Sequence, residues 1–211
     1  MTLADQYAGD RPGRGARLPR SARRAQLLGA AREVFVAQGY HAAAMDDIAD
    51  RAGVSKPVLY QHFPGKLELY LALLDEGIEG LVAAVRDGLA STVDNKQRVI
   101  ATTQAYFDFV ADPGGAFRLV FESDLTSEPL VRARVEQALQ ECAELVSAVI
   151  AQDAGLSQDQ SHLLAVGLIG GAQVSARYWV TTGERIPREE AVSLVSTLSW
   201  RGISRFPRTS G

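Results

Sequence analysis

The residues best placed to do chemistry lie together between Ala52 and Lys66. There the chain reads Ala52-Gly53-Val54-Ser55, then Lys56-Pro57-Val58-Leu59-Tyr60-Gln61-His62. A tight turn containing glycine, followed by a short polar and aromatic helix, describes a helix-turn-helix whose second helix enters a DNA groove. Gly53 supplies a positive φ, Val54 seals the angle between the helices, and Ser55 is the N-cap residue of the second. Chemistry of other kinds finds no footing. His41 and His162 have no paired ligands nearby, so no metal site is assigned. Gly167, Gly170 and Gly171 do not match the dinucleotide fingerprint, which requires a preceding strand. Cys142 lies on an apolar helix face and reads as a small core residue. No Ser/His/Asp order, paired carboxylates or phosphate-binding loop stands out. The chain reads as a protein that is not an enzyme and has no cofactor.

The elements that position this turn are helical. Leu27, Leu28, Ala31, Val34 and Phe35 form one apolar stripe, which predicts a helix from a Ser21 cap to about Gln38, ended by a left-handed Gly39. A short second helix covers Met45–Ala52, with Asp46 and Asp47 against its N-terminal dipole. Pro57 falls in the first turn of the third helix, Lys56–His62, where first-turn N–H groups have no intrahelical partner. Ile48, Leu59 and Phe63 read as core. Longer amphipathic helices follow at about Lys66–Leu89, Asp94–Ala111, Ala116–Glu122, Glu128–Gln152, Ser157–Thr182 and Arg188–Ser204. Asp94 with Gln97, and Ser157 with Gln160, have capping-box spacing. No stretch alternates with period two long enough to argue a strand. The fold class is all-α, with about nine helices.

Charge divides along the same boundary. The 211 residues carry a formal charge of −3, which taken alone argues against nucleic acid. Residues 1–66, however, hold ten Lys and Arg against six Asp and Glu, a balance of +4, and residues 67–211 carry −7. A basic module is joined to an acidic one. Residues 1–19 read as a disordered Arg-rich tail, with Arg11, Arg14 and Arg17 among glycines and prolines and little to bury. Residues 20–66 are the helix-turn-helix domain and 67–211 the second domain. One cysteine excludes an intramolecular disulfide framework. No apolar run approaches the ~20 residues that span a bilayer, and no signal peptide opens the chain, so a cytoplasmic protein is expected.

The ordered set Gly39-Tyr40, Ile48-Ala49, Ala52-Gly53-Val54-Ser55, Leu59-Tyr60, His62-Phe63, Lys66 and Leu69 resembles the TetR family of bacterial transcriptional regulators, over about residues 21–70. The resemblance implies site residues position by position. Lys56, Pro57 and Val58 open the recognition helix, with Lys56 a donor to guanine acceptors and Pro57 or Val58 against a thymine methyl. Tyr60, His62 and Lys66 match positions that contact phosphates, and Gln61 reaches a base or a phosphate. Ala43 and Ala44 depart from the family's usual Thr or Ser. An alanine cap costs about 1 kcal/mol, and one phosphate contact per subunit is lost with it. The Arg-rich tail is a candidate to replace that contact.

Beyond residue 70 only the all-helical pattern agrees with the family's effector-binding and dimerisation domain. The resemblance implies a pocket for a small effector there. Phe107, Phe121 and Trp179 are its candidate lining, and the scarcity of basic residues at apolar positions favours an apolar or neutral ligand. The last two long helices are apolar over more than one stripe, so the second face must be buried against something. The family's answer is a homodimer, which would present two recognition helices to a double-stranded, palindromic operator. The expected function is a repressor released from that operator by the ligand. The alternatives are a helical small-molecule-binding protein without DNA binding and, with no catalytic pairing to support it, an α-helical enzyme.

Overall fold

A computed structural model describes residues 18–112, 115–121, 125 and 127–203, with Phe121 and Ile203 described for their backbone only. Among these residues the chain forms nine α-helices and no strand: α1 (Arg20–Gln38), α2 (Met45–Ala52), α3 (Lys56–His62), α4 (Lys66–Ala90), α5 (Asn95–Ala111), α6 (Ala116–Phe121), α7 (Pro129–Ala154), α8 (Gln158–Thr181) and α9 (Arg188–Ile203). The Arg-rich stretch holding Arg11, Arg14 and Arg17 lies outside the described residues.

The helix starts show local chemistry at work. Ser157 Oγ accepts from the Gln160 N–H while Gln160 Oε1 accepts from the Ser157 N–H, a complete capping box. Asp94 accepts from the Gln97 N–H at 2.9 Å. Two expected caps differ. Pro19, with φ −51° and ψ 150°, stands at the N-cap of α1, which leaves Ser21 inside the first turn. Ser55 holds the N-cap position of α3, but its side chain accepts no cap hydrogen bond. Pro57 has no N–H to offer, and the Val58 N–H donates to the Ser55 carbonyl at 2.9 Å instead. Gly39 is at positive φ (77°) but with ψ 166°, outside the left-handed helical region expected for it.

Helix α4 is the axis of the molecule, packed on α1, α5, α6 and α7. At its N-terminal end α1 lays Leu27, Leu28, Ala31 and Phe35 against Ile48, Ala49, Leu59 and Phe63, all buried. Burying each large apolar side chain contributes roughly 1.5–3 kcal/mol, so the short α2 and α3 are held by this shared core with α1. At the other end α5, α7, α8 and α9 close over Leu81, Val85, Phe107, Val131 and Cys142. The two ends also meet through α6. A Cβ on Gly115, just before α6, would lie 2.7 Å from Val36 of α1, and its φ of +71° is itself a glycine conformation.

The outer face of α8 and α9 is uncovered among the described residues. Leu163, Val166, Val174 and Tyr178 on α8 and Leu194 and Leu198 on α9 are exposed. Gly167, Gly170 and Gly171 beside them have open space where a Cβ would be. Contrary to the reading of the sequence, α8 is long and apolar enough, by length and composition alone, to cross a membrane. Its 24 residues join an inner apolar stripe to this outer one, with Gln160, Gln173 and Arg177 along its length.

Candidate nucleic-acid interface and ligand cavity

The recognition helix is held by its back and displayed by its front. At the turn, Gly53 takes φ 65° and ψ 35°, and its N–H donates to the Asp50 carbonyl at 3.0 Å. The Val54 N–H donates to Ala49 at 3.0 Å. Gln26 of α1 donates from Nε2 to the Ala52 carbonyl at 2.7 Å, which satisfies the end of α2 and pins α1 to the turn. With Leu59 and Phe63 buried inward, Lys56, Pro57, Tyr60 and Gln61 are exposed, while Val58 and His62 are half-buried. Six of the seven expected contact residues therefore share this one short helix.

The seventh, Lys66, is otherwise engaged. Its ammonium donates to the carbonyls of Tyr40 (2.8 Å), His41 (3.3 Å) and Ala43 (2.8 Å) and lies 4.5 Å from the centre of the Tyr40 ring. Tyr40 in turn packs on Phe35 and Tyr70, and Tyr70 Oη donates to the Leu119 carbonyl of α6 at 2.7 Å. Lys66 thus fastens the start of α4 to the α1–α2 connection, using all three ammonium donors. Sequence spacing located this residue but not its partners, which come from a segment more than twenty residues upstream.

Three of the other six cations of this module are paired with carboxylates. Arg32 meets Glu76 at 2.6 Å, Arg51 meets Glu33, and Lys56 meets Asp46 at 2.6 Å. Arg20, Arg23 and Arg24 at the start of α1 have no carboxylate among the described ion pairs. Arg24 sits 4.4 Å over the Phe63 ring, at the end of the recognition helix. None of these three arginines is among the seven contact residues expected from the sequence. Their signal was present: three arginines within five residues at the start of an amphipathic helix whose apolar stripe begins only at Leu27.

In the body, a cavity of about 510 Å³ opens between α5, α7, α8 and α9 and the end of α4. Val99, Tyr106, Val146, Ile150, Ile169 and Trp200 are among its walls. Its polar edge is self-satisfied. Arg98 donates to the Leu89 and Thr92 carbonyls (3.1 and 2.9 Å), to Asn95 Oδ1 (2.9 Å) and to Asp153 Oδ2 (3.3 Å), and Asn95 Nδ2 donates to Asp153 Oδ2 at 2.7 Å. Behind the wall the Tyr106 hydroxyl is buried without a hydrogen-bond partner of good geometry, close to the Cys142 thiol. Burial pushes both groups' pKa values up, so both stay protonated at neutral pH. Among the described residues no three of His, Cys, Asp and Glu gather to hold a metal ion.

Residues 27–73 match the model of the bacterial regulatory proteins of the tetR family. The chain is 50% identical over 196 residues to the HTH-type transcriptional activator FasR of Mycolicibacterium smegmatis, covering 93% of this chain and 90% of that one. The chain belongs to the TetR family. It is a DNA-binding transcriptional regulator of that family. Solved structures agree in fold. A TetR-like regulator from Rhodococcus sp. RHA1 superposes with a TM-score of 0.71 at 26% identity, covering 90% of this chain and all of that one. FadR of Bacillus subtilis, solved with stearoyl-CoA, superposes with a TM-score of 0.71 at 20% identity over 85% and 98% of the two chains.

TetR-family regulators bind DNA and small-molecule effectors, and the expected lining residues can be placed against the cavity. Phe107 and Trp179 are not among its walls. Both are buried, their rings pack at 5.4 Å between centroids, and Trp179 Nε1 donates to the Ile186 carbonyl at 2.8 Å. Their place is the α5–α8 core. The side chain of Phe121 lies outside the described residues. The cavity is walled instead by aliphatic residues, by Tyr106 and Trp200, and by a polar edge, spread over five helices, a set that no local sequence spacing marks.

Proposed function

We propose that this TetR-family member is a homodimeric, one-component regulator whose operator affinity is lowered by a small ligand bound in the α5–α9 cavity. The observation that carries the reading is the display of Lys56, Pro57, Tyr60 and Gln61 on a short helix whose opposite face is buried. Val58 and His62 complete the contact surface at its margins. Residues 20–66 serve as the reader and 67–211 as the effector and dimerisation body. Lys66 contributes by holding the α1–α2 connection against α4, and its charge adds to the field at the start of α4. The exposed apolar face of α8 and α9, lined with glycines, supports a four-helix dimer interface rather than contact with lipid.

The cavity supports an apolar or neutral ligand, because Arg98 and Asp153 neutralise each other at its edge. FadR binds stearoyl-CoA, but at 20% identity that neighbour speaks to the fold, and the ligand here is read from the walls. A ligand that spreads α5, α7 and α8 would act on the reader through α4 and through the α6 contacts at Tyr70 and Val36. It must bind the DNA-incompetent arrangement more tightly, or it shifts nothing. On output, the sequence led us to expect a repressor. The 50% identical relative is named an activator, and this favours activation by the operator-bound dimer.

The test is fluorescence anisotropy of the dimer on labelled duplex over a range of salt. Tyr60→Ala is expected to weaken binding about tenfold or more on all sequences. Unchanged affinity would remove α3 from the interface. A promoter–reporter assay with and without the gene gives the sign of the output.

A further inference from the structure

The first residue of the recognition helix carries a partner of its own. Lys56 Nζ lies 2.6 Å from Asp46 Oδ2, which ties the first turn of α3 to the first turn of α2. The two side chains are 58% and 56% exposed, and an ion pair so open to water adds little to stability. Its effect falls on what Lys56 meets. Asp46, Asp47 and Asp50 are three exposed carboxylates on α2, in a module that approaches a polyanion. A free ammonium there would bind any phosphate and gain from counterion release on any sequence. Paired with Asp46, it presents no net charge to the backbone.

The pair is still competent toward bases. An ammonium has three donors, and Asp46 occupies one. The remaining two suit N7 and O6 of a guanine, while a free carboxylate lone pair accepts from the N4 amine of the paired cytosine. Those three groups lie on the major-groove edge of a single G·C pair. We propose that Asp46 is a specificity-determining residue, which withholds Lys56 from phosphates and directs it to a G·C pair in each operator half-site. The inference rests on the placement of Lys56 at the DNA proposed above.

The experiment selects bound duplexes from a random-sequence library with full-length protein, then measures affinity and salt slope on selected and random duplexes. Asp46→Asn keeps the side-chain shape and removes the charge. It is expected to tighten binding to random duplex by about threefold to tenfold at low salt, to steepen the log–log salt slope by about 0.9 per protomer, and to erase a G·C preference at one position per half-site. Asp46→Glu, which keeps the charge, should retain the wild-type consensus, and Asp47→Asn should leave the base preference in place. In a Lys56→Ala background, Asp46→Asn should change nothing further. The proposal is overturned if Asp46→Asn keeps the wild-type consensus and salt slope, or if its effect persists without Lys56. If Lys56→Ala alone leaves affinity and consensus unaltered, the placement of Lys56 at the DNA fails, and this inference fails with it.

Discussion

Lys66 shows how a residue can be picked out of the sequence while its partners are missed. A lysine at the start of the fourth helix, in a DNA-binding module, suggests a phosphate contact, and the resemblance implied one. Its ammonium instead satisfies three carbonyls of the α1–α2 connection. Lys66→Ala is therefore expected to destabilise the fold by about 1–2 kcal/mol, measured by urea unfolding, because it leaves part-buried acceptors unmet. Loss of DNA affinity with an unchanged salt slope would mark a positioning role, and flattening by about 0.9 per protomer would mark a phosphate contact. We expect the former. Cys142 and Tyr106 give a second prediction. Burial raises both pKa values, so above about pH 9 the unfolded chain releases protons that the folded chain retains. With fewer protons bound in the unfolded state, stability must fall as pH rises. Urea midpoints at pH 7 and pH 10 should show the decline, and Cys142→Ala should make it shallower; an equal slope in that variant would contradict the cause.

At the scale of elements, the sequence was legible wherever a signal is local. Apolar stripes marked the long helices, the turn and cap residues marked α3, and Gly53 and the Ser157–Gln160 pair sit where their chemistry required. The failures at Ser21 and Ser55 are failures of competition: a proline at the preceding boundary displaced one cap, and a proline inside the first turn removed a donor from the other. The cavity in the body was illegible for a different reason. Its walls come from five helices, and the aromatics that looked like lining, Phe107 and Trp179, were large enough to be claimed by the core. The second apolar face of α8 and α9 was legible, because an amphipathic helix needs only one stripe to fold. Leu198, 77% exposed on α9, gives the corresponding prediction. Leu198→Glu should leave helical content intact and yield monomers by light scattering, since a buried interface cannot hold two facing carboxylates. A variant that stays dimeric would move the interface elsewhere.

At the scale of the whole molecule, α4 and α6 join two functions with different demands. The reader must be rigid and polar on one face, and α1, α2 and α3 achieve this around one small core. Under the proposed function the body must respond to a ligand, and its cavity is open while the walls around it are packed. The net charge of −3 conceals this arrangement, because the acidic body outweighs the basic N-terminal module. A dimer through α8 and α9 would set two copies of α3 on one side of the duplex, related by two-fold symmetry. The most direct measurement is the selection of bound duplexes from a random-sequence library by the full-length protein, followed by sequencing. An inverted repeat is expected, with half-site centres one helical turn, ~34–36 Å, or a multiple of it apart. Failure to enrich any sequence, or enrichment of a single half-site without symmetry, would contradict it.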